Sequence, residues 1–357
     1  MFSGMEMRGM MLRRVLLCCL CLLAFDQSAL AARLDKLFQA DALANGRDTQ
    51  ARQDALRQAL ATVLVRITGD AAIADREVVQ SLLDKPGRFV AQFRFNESPA
   101  ATPDDVPELR LWAQFDEVAL TRELRKLGLP YWGRDRPDVL VWLAVDDNGQ
   151  RFLVSDSGLD PFAEALRDAA QHNGLPASLP LLDLQDKHAI SFADLWGGFP
   201  GPVQKASERY RPQVVLIGRV SRSSSGWNGQ WSLLGAGASQ SWIVHGDTAE
   251  AIVHKGISGA TGLLATQYAV VASDETSRLV SVQGINRLND YARVQTYLAS
   301  LSPVDQVQVA MVSGDQVQFS LKLNTSEQSL VKLIRLGRVL QPVTTEGDAP
   351  WQFRLIQ

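Results

Sequence analysis

The sequence predicts a multidomain chain of mixed α+β and α/β class, on three observations. Helical periodicity and strand alternation succeed one another from residue 49 to the C-terminus. Two runs, DVLVWLAV (138–145) and QVVLIGRV (213–220), are apolar on both faces, as central strands covered by helices on each side are. The last region reads βαββαβ, the ferredoxin-like order. With 357 residues the chain also exceeds what one core usually serves. The division expected is a leader over 1–31, an α+β N-terminal domain over 32–128, a mixed-sheet α/β middle domain over 129–275 and a ferredoxin-like domain over 276–357.

The leader is read from its charge and its apolar run. Arg8, Arg13 and Arg14 precede the uninterrupted run VLLCCLCLLAF (15–25), Asp26 ends it, and Ala29 and Ala31 offer the small side chains a signal peptidase needs. The run falls short of the ~20 apolar residues that cross a bilayer. The expectation is a signal peptide cut after Ala31 and a soluble periplasmic protein. Cys18, Cys19 and Cys21 all lie in that leader, so the mature chain would lack thiols for disulfides or thiolate metal sites. The most apolar later stretch, 262–272, is short and interrupted by Gln267 and Tyr268, so no membrane span is expected in the mature chain.

The N-terminal domain starts with a helix from Thr49, where Leu56, Leu60, Val63 and Ile67 fall on one face and Gly69 ends the pattern. A second helix covers 77–84. RFVAQFRF (88–95) reads as a strand with Phe89, Ala91, Phe93 and Phe95 on one face, and LRLWAQF (109–115) as another. A helix over DEVALTRELRKLG ends at Gly128. LPYWG and RDRP (129–137), poor in apolar residues and bracketed by prolines, read as a connection.

In the middle domain the strand 138–145 turns at DDNG (146–149), and Asp160 with Pro161 opens a helix that Gly174 closes. LPLLDL (179–184) is expected as a short strand and ASERYR as a helix end, before the strand 213–220. Alternating Trp227, Gly229, Trp231 and Leu233 then pair with QSWIVHG as an antiparallel hairpin. A helix from Thr248 to about Ala272 closes the domain. In the last domain Leu288, Tyr291, Val294, Leu298 and Leu301 mark one helix face. Val317, Phe319, Leu321 and Leu323 mark one strand face, Ser326 caps the second helix, and WQFRLIQ supplies the closing strand.

Composition narrows the function. A net charge of −3 leaves no basic surplus to neutralise phosphates, so nucleic acid is not an expected partner. His172, His188, His245 and His254 show no metal-ligand spacing, and no cofactor is expected. A Gly-x-Ser-x-Gly elbow is missing, and Ser329 with Lys332 has acylating-pair spacing without the companion motifs. GAGAS (235–239) precedes a strand rather than a helix, which disfavours a phosphate cradle. Asp146, Asp147, Asp183, Asp186 and Asp194 read as loop acids. Six of the eight tryptophans fall in or beside the middle region, and Trp132 and Trp196, in Gly/Pro-rich loops, are the candidates for partner binding.

ALATVLVRITGD, LGLPYWGRDRPDVLVWLAVDD, LPLLDLQD with DLWGGF, and ASERYRPQVVLIGRV followed by WNGQWSL together resemble the DUF2066 family of uncharacterised exported proteobacterial proteins. The resemblance runs from about Ala55 to about Leu233 and implies an extracytoplasmic address, with no catalytic or binding residue to transfer. DVLVWLAV, the GLP turn and the strand leading into a Trp-rich hairpin are more loosely similar to α/β domains of envelope accessory proteins such as the TolB amino-terminal domain. The function expected is a non-enzymatic periplasmic scaffold or adaptor with an envelope protein partner. The alternative is a periplasmic hydrolase or sugar-binding protein using a cleft beside the middle sheet. Oligomeric state is not legible in the sequence.

Overall fold

A computed structural model describes residues 36–97, 108–156, 160–235, 237–273, 275–343 and 351–356. The expected leader over 1–31 lies outside the described residues. The chain is a multidomain α+β architecture built on three sheets.

The first sheet comprises β1 (Gln39–Leu43), β2 (Val90–Glu97) and β3 (Leu109–Phe115), antiparallel in the order β1-β3-β2. Helix α1 (Thr49–Thr68) buries Leu56, Leu60, Val63 and Ile67, the face the spacing predicts. Asp48 caps it by accepting from the Gln50 and Ala51 amides, and Gly69 stops it in the left-handed region at φ 71°. α2 (Glu77–Leu83) and α3 (Glu117–Lys126) complete the layer. The sequence reading missed β1, because its buried positions Ala40 and Ala42 are too small to raise an apolar signal.

The predicted face of β2 does not hold together. Phe89 belongs to a 3-10 turn before the strand and is buried, and the register slips between Val90 and Gln92. Past the slip Phe93 and Phe95 lie opposite the buried Ala113 and Leu111, on the core side, but β2 is an edge strand and Phe93 stays 44% exposed, with the Arg52 guanidinium 5.8 Å from its ring centroid.

The middle sheet holds β4 (Val139–Asp147), β5 (Gln150–Leu153), β6 (Ala177–Ser178), β7 (Val214–Ser223), β8 (Gly226–Leu234) and β9 (Gln240–Gly246). The order is β5-β4-β7-β8-β9, with β6 beside β4. β4 runs parallel to β7 and β6, while the β7-β8-β9 side is antiparallel. α4 (Pro161–Asn173), α5 (Leu184–Ala189), α6 (Phe192–Trp196), α7 (Pro200–Ser207) and α8 (Ala249–Tyr268) surround it. α4 and α8 cover one face, around Val141, Leu216, Trp231 and Ile257. On the other face Ile190, Leu195 and Val203, from the α5–α7 segment, pack with Trp142 and Ile217. The strand expected over 179–184 does not form. Pro180 has no amide to donate, and Asp183 instead caps α5 by accepting from the Asp186 amide.

The third sheet contains β10 (Thr276–Gln283), β11 (Val304–Ser313), β12 (Gln316–Leu323), β13 (Leu340–Pro342) and β14 (Gln352–Leu355), in the order β11-β12-β10-β14-β13. α9 (Leu288–Ser300) and α10 (Glu327–Leu336) pack on Val317, Phe319, Leu321 and Leu323, the predicted strand face. The βαββαβ order is present with one strand more. β13 leaves α10 at the sheet edge, and β14 enters between it and β10, parallel to β10. Leu288, at the first helical position of α9, is 80% exposed rather than on the buried face. Ser326 stands at the N-cap of α10 but makes no side-chain capping bond.

The segment expected as a connection is where the three regions meet. Tyr131 exchanges two 2.8 Å backbone hydrogen bonds with Val270, and the Trp132 amide donates to Ile67 O at 2.7 Å. Asp135 accepts from the Ser302 amide at 3.2 Å, and Asp138 pairs with Arg338 at 2.8 Å. Arg136, 6% exposed, donates to five carbonyls, those of Gly133, Asn173, Gly174, Arg66 and Trp132. Arg66 is also 6% exposed and donates to the carbonyls of His172, Lys36 and Gln39. Two guanidinium forks thus satisfy the carbonyls left over where α1 and α4 end, and they place positive charge at the negative ends of both helix dipoles. Burial lowers the Arg136 pKa to about 9 and the Arg66 pKa to about 10, so both remain charged at neutral pH.

Candidate functional site

Trp132 is 1% exposed, with the Arg136 guanidinium 4.2 Å from its ring centroid and its indole N–H donating to Asp135 O at 3.2 Å. A side chain so enclosed presents no surface to a partner, which corrects its choice as a docking residue. It is a core residue of the joint.

Trp196 sits differently. α6 is capped at Ser191, whose hydroxyl and amide form a reciprocal capping box with Asp194, and ends after five residues at the C-cap Gly197. The Trp196 ring, half-buried, stacks on Phe192 at 5.1 Å between centroids and 19° between planes. It forms one wall of a trough of about 350 Å³ floored by β7, β8 and β9.

The strand register builds the floor. Arg219 lies opposite Gln230, which lies opposite Ile243; Ser221 lies opposite Asn228, which lies opposite His245. These six share the face opposite Trp227, Trp231 and Leu233, whose packing with α4 and α8 fixes the sheet. Ile243 is 67% exposed, and His245 Nδ1 meets Asn228 Oδ1 at 2.6 Å. Arg219 Nη1 donates to Trp196 O at 3.1 Å, while its buried Nε has no partner among the described residues. The trough therefore combines an aromatic wall, an exposed aliphatic side chain, a cation with unused donor capacity and a row of amides. β9, at the sheet edge, carries no Lys, Arg, Asp, Glu or Pro to discourage pairing with a further strand.

The other candidates resolve into structural roles. Asp183 binds Arg209 through two oxygens at 2.7 and 2.9 Å, which draws its pKa down to about 2. Asp186, fully buried, accepts from the Leu182 amide, Arg209 and the Tyr210 hydroxyl. Asp146 closes the turn by accepting from the Gly149 amide and Arg151, Asp147 pairs with Arg222, and Asp194 serves its capping box. Ser329 shares a hydrogen bond with Ser326. Without metal-ligand spacing in the sequence, two of the histidines are nonetheless neighbours: α4 and α8 bring the His172 and His254 ring centroids to 6.3 Å. Among the described residues no group of three or more His, Cys, Asp or Glu side chains is placed to hold a metal, and no helix is long and apolar enough to cross a membrane.

Comparison with known proteins adds the following. The family model "Domain of unknown function (DUF8605)" matches residues 31–133. An uncharacterised domain is therefore present, as the resemblance implied, but under a name other than DUF2066, and the match ends at Gly133, before β4 begins. No curated protein matches the chain. The LpoB C-terminal domain from Salmonella enterica is 20% identical over 31% of this chain and 83% of that one, with a TM-score of 0.21, too low to carry an argument.

Proposed function

We propose that this protein is a non-enzymatic adaptor of the cell envelope, exported behind the leader at 1–31, that holds an extended segment of a partner protein along β9 and the trough beside it. The observation that carries the reading is the strip Arg219, Gln230 and Ile243 facing Trp196: a cation whose Nε has no partner among the described residues and an exposed aliphatic side chain on the sheet, beside a half-buried aromatic ring. A strand added to a sheet edge gains main-chain hydrogen bonds, and side-chain pockets beside it set the choice of partner. The division into 32–128, 129–275 and 276–357 belongs to the same proposal, with residues 129–138 as the joint that holds the three parts in fixed relation.

The test is recovery of a defined partner from cross-linked envelopes by the tagged chain. Trp196→Ala and Ile243→Asn should each reduce that recovery about tenfold, the loss of a typical interface hot spot, while both variants remain folded. Recovery equal to wild type in both would reject the trough as the docking surface. Asn228, Gln230 and His245 beside an aromatic wall also favour a second reading, a sugar laid on Trp196. A sugar-dependent rise in melting temperature that Trp196→Ala abolishes would replace the adaptor with that reading.

A further inference from the structure

A second cleft lies between the middle sheet and the C-terminal region, on the side where β7 begins. It has a volume of about 620 Å³ and is lined by Tyr268 at the end of α8, by Gly235 and Gly237 beyond β8, and by Lys332 and Arg335 of α10. None of these positions serves the trough.

Among the described residues its lining carries two cations and no acid. Lys332 and Arg335 are three residues apart, so they project from one side of α10, away from the buried Leu330, Leu333 and Ile334. Arg338, just beyond the helix, is held by Asp138. By contrast, neither Lys332 nor Arg335 has an acidic partner among the described residues, whereas the acid on the same helix, Glu327, is taken by Arg278. Arg335 stands in the last turn, where a cation complements the helix dipole, but Lys332 stands before it and is not explained that way.

The remaining lining adds a phenol hydroxyl and bare backbone. Tyr268 is half-buried, and that burial raises its phenol above the ordinary value, so it keeps a proton to donate. Gly235 and Gly237 both adopt positive φ, at 93° and 86°, and present backbone without side chains at the rim. At Gly235 an added Cβ would come within 2.8 Å of Gln213 O, so this approach of two chain segments requires glycine.

We propose that this interdomain cleft binds a phosphate-bearing anion, with Arg335 and Lys332 holding its oxygens and Tyr268 donating a further hydrogen bond. A guanidinium grips two phosphate oxygens at once and an ammonium supplies a compact second charge, the pairing such groups favour. The volume exceeds a bare phosphate, so the ligand is a phosphate on a larger body, either a soluble phosphate compound or a phospholipid headgroup. The site is independent of the adaptor reading.

The experiment is titration calorimetry on the full chain with inorganic phosphate and with pyrophosphate, and in parallel sedimentation with phosphatidylglycerol vesicles. Three proteins are compared: wild type, Lys332→Gln/Arg335→Gln, and a control pair of exposed cations elsewhere, Arg122→Gln/Lys187→Gln. The expected result is saturable binding by wild type and control, weakened at least about tenfold in the cleft variant, a loss in keeping with two charge-assisted contacts. Binding of the soluble anions identifies a soluble phosphate compound, and binding of vesicles alone identifies a headgroup. Binding of none of the three by wild type, or equal binding by both variants, overturns the proposal.

Discussion

Trp132 and Trp196 stand in stretches of similar composition, each beside glycine and within a few residues of proline, yet one is sealed in the joint and the other walls an open trough. The difference comes from what the rest of the chain brings to each. Around Trp132 converge Ile67 from α1, the Arg136 fork on the end of α4, and Val270 beyond α8 beside Tyr131. Around Trp196 the ring stacks on Phe192 one helical turn away and packs only partly against the core that holds Trp142 and Ile217, and Arg219 reaches its carbonyl. Exposure of an aromatic residue is thus decided by partners distant in sequence, and local loop chemistry does not report it.

The most severe way to break the comparison is Arg136→Ala. It strips five carbonyls of their donor inside the joint, and unmet buried polar groups cost enough individually that a loss of about 3–5 kcal/mol is expected. Urea unfolding checks it. Gly69→Ala probes the same joint from α1: at φ 71° its new Cβ would lie 2.2 Å from Ala265 Cβ, and a loss of about 1–3 kcal/mol follows from strain and overpacking.

Acidity sharpens the comparison more gently. His172, at the end of α4, has its pKa lowered by burial first, then by Arg66 and His254; Glu250, 4.0 Å from His254, is the acid on the facing helix. The unfolded chain therefore takes up the proton first as pH falls below the ordinary histidine value of about 6.5, and stability declines from there down through the lower folded pKa. The urea midpoint should be lower at about pH 5.5 than at about pH 7.5, and His172→Gln should shrink that difference. The smallest effect is expected in the trough, where Ile243→Asn should change stability by no more than about 0.5 kcal/mol.

Elements with strong local signals were legible in the sequence. The four- and three-residue steps of α1, its stop at Gly69, the Asp160–Pro161 start of α4 and the alternation of β12 all appear where the pattern places them. What was illegible was set by contacts across the chain. β1 hides behind alanines, β13 carries only three residues, and the joint at 129–138 buries polar side chains whose partners are carbonyls. A carbonyl can come from any residue, so no sequence pattern marks it. Of the trough, only Trp196 was visible beforehand; Arg219 and Ile243 look like ordinary strand residues until the register of β7, β8 and β9 aligns them.

The comparison is tested most directly by urea unfolding of Trp132→Ala and Trp196→Ala side by side. Trp132→Ala should lose about 3–5 kcal/mol, the range for emptying a packed aromatic site, and Trp196→Ala about 1 kcal/mol or less. Equal losses, or a larger loss for Trp196→Ala, would contradict the assignment of one tryptophan to the joint and the other to the binding surface.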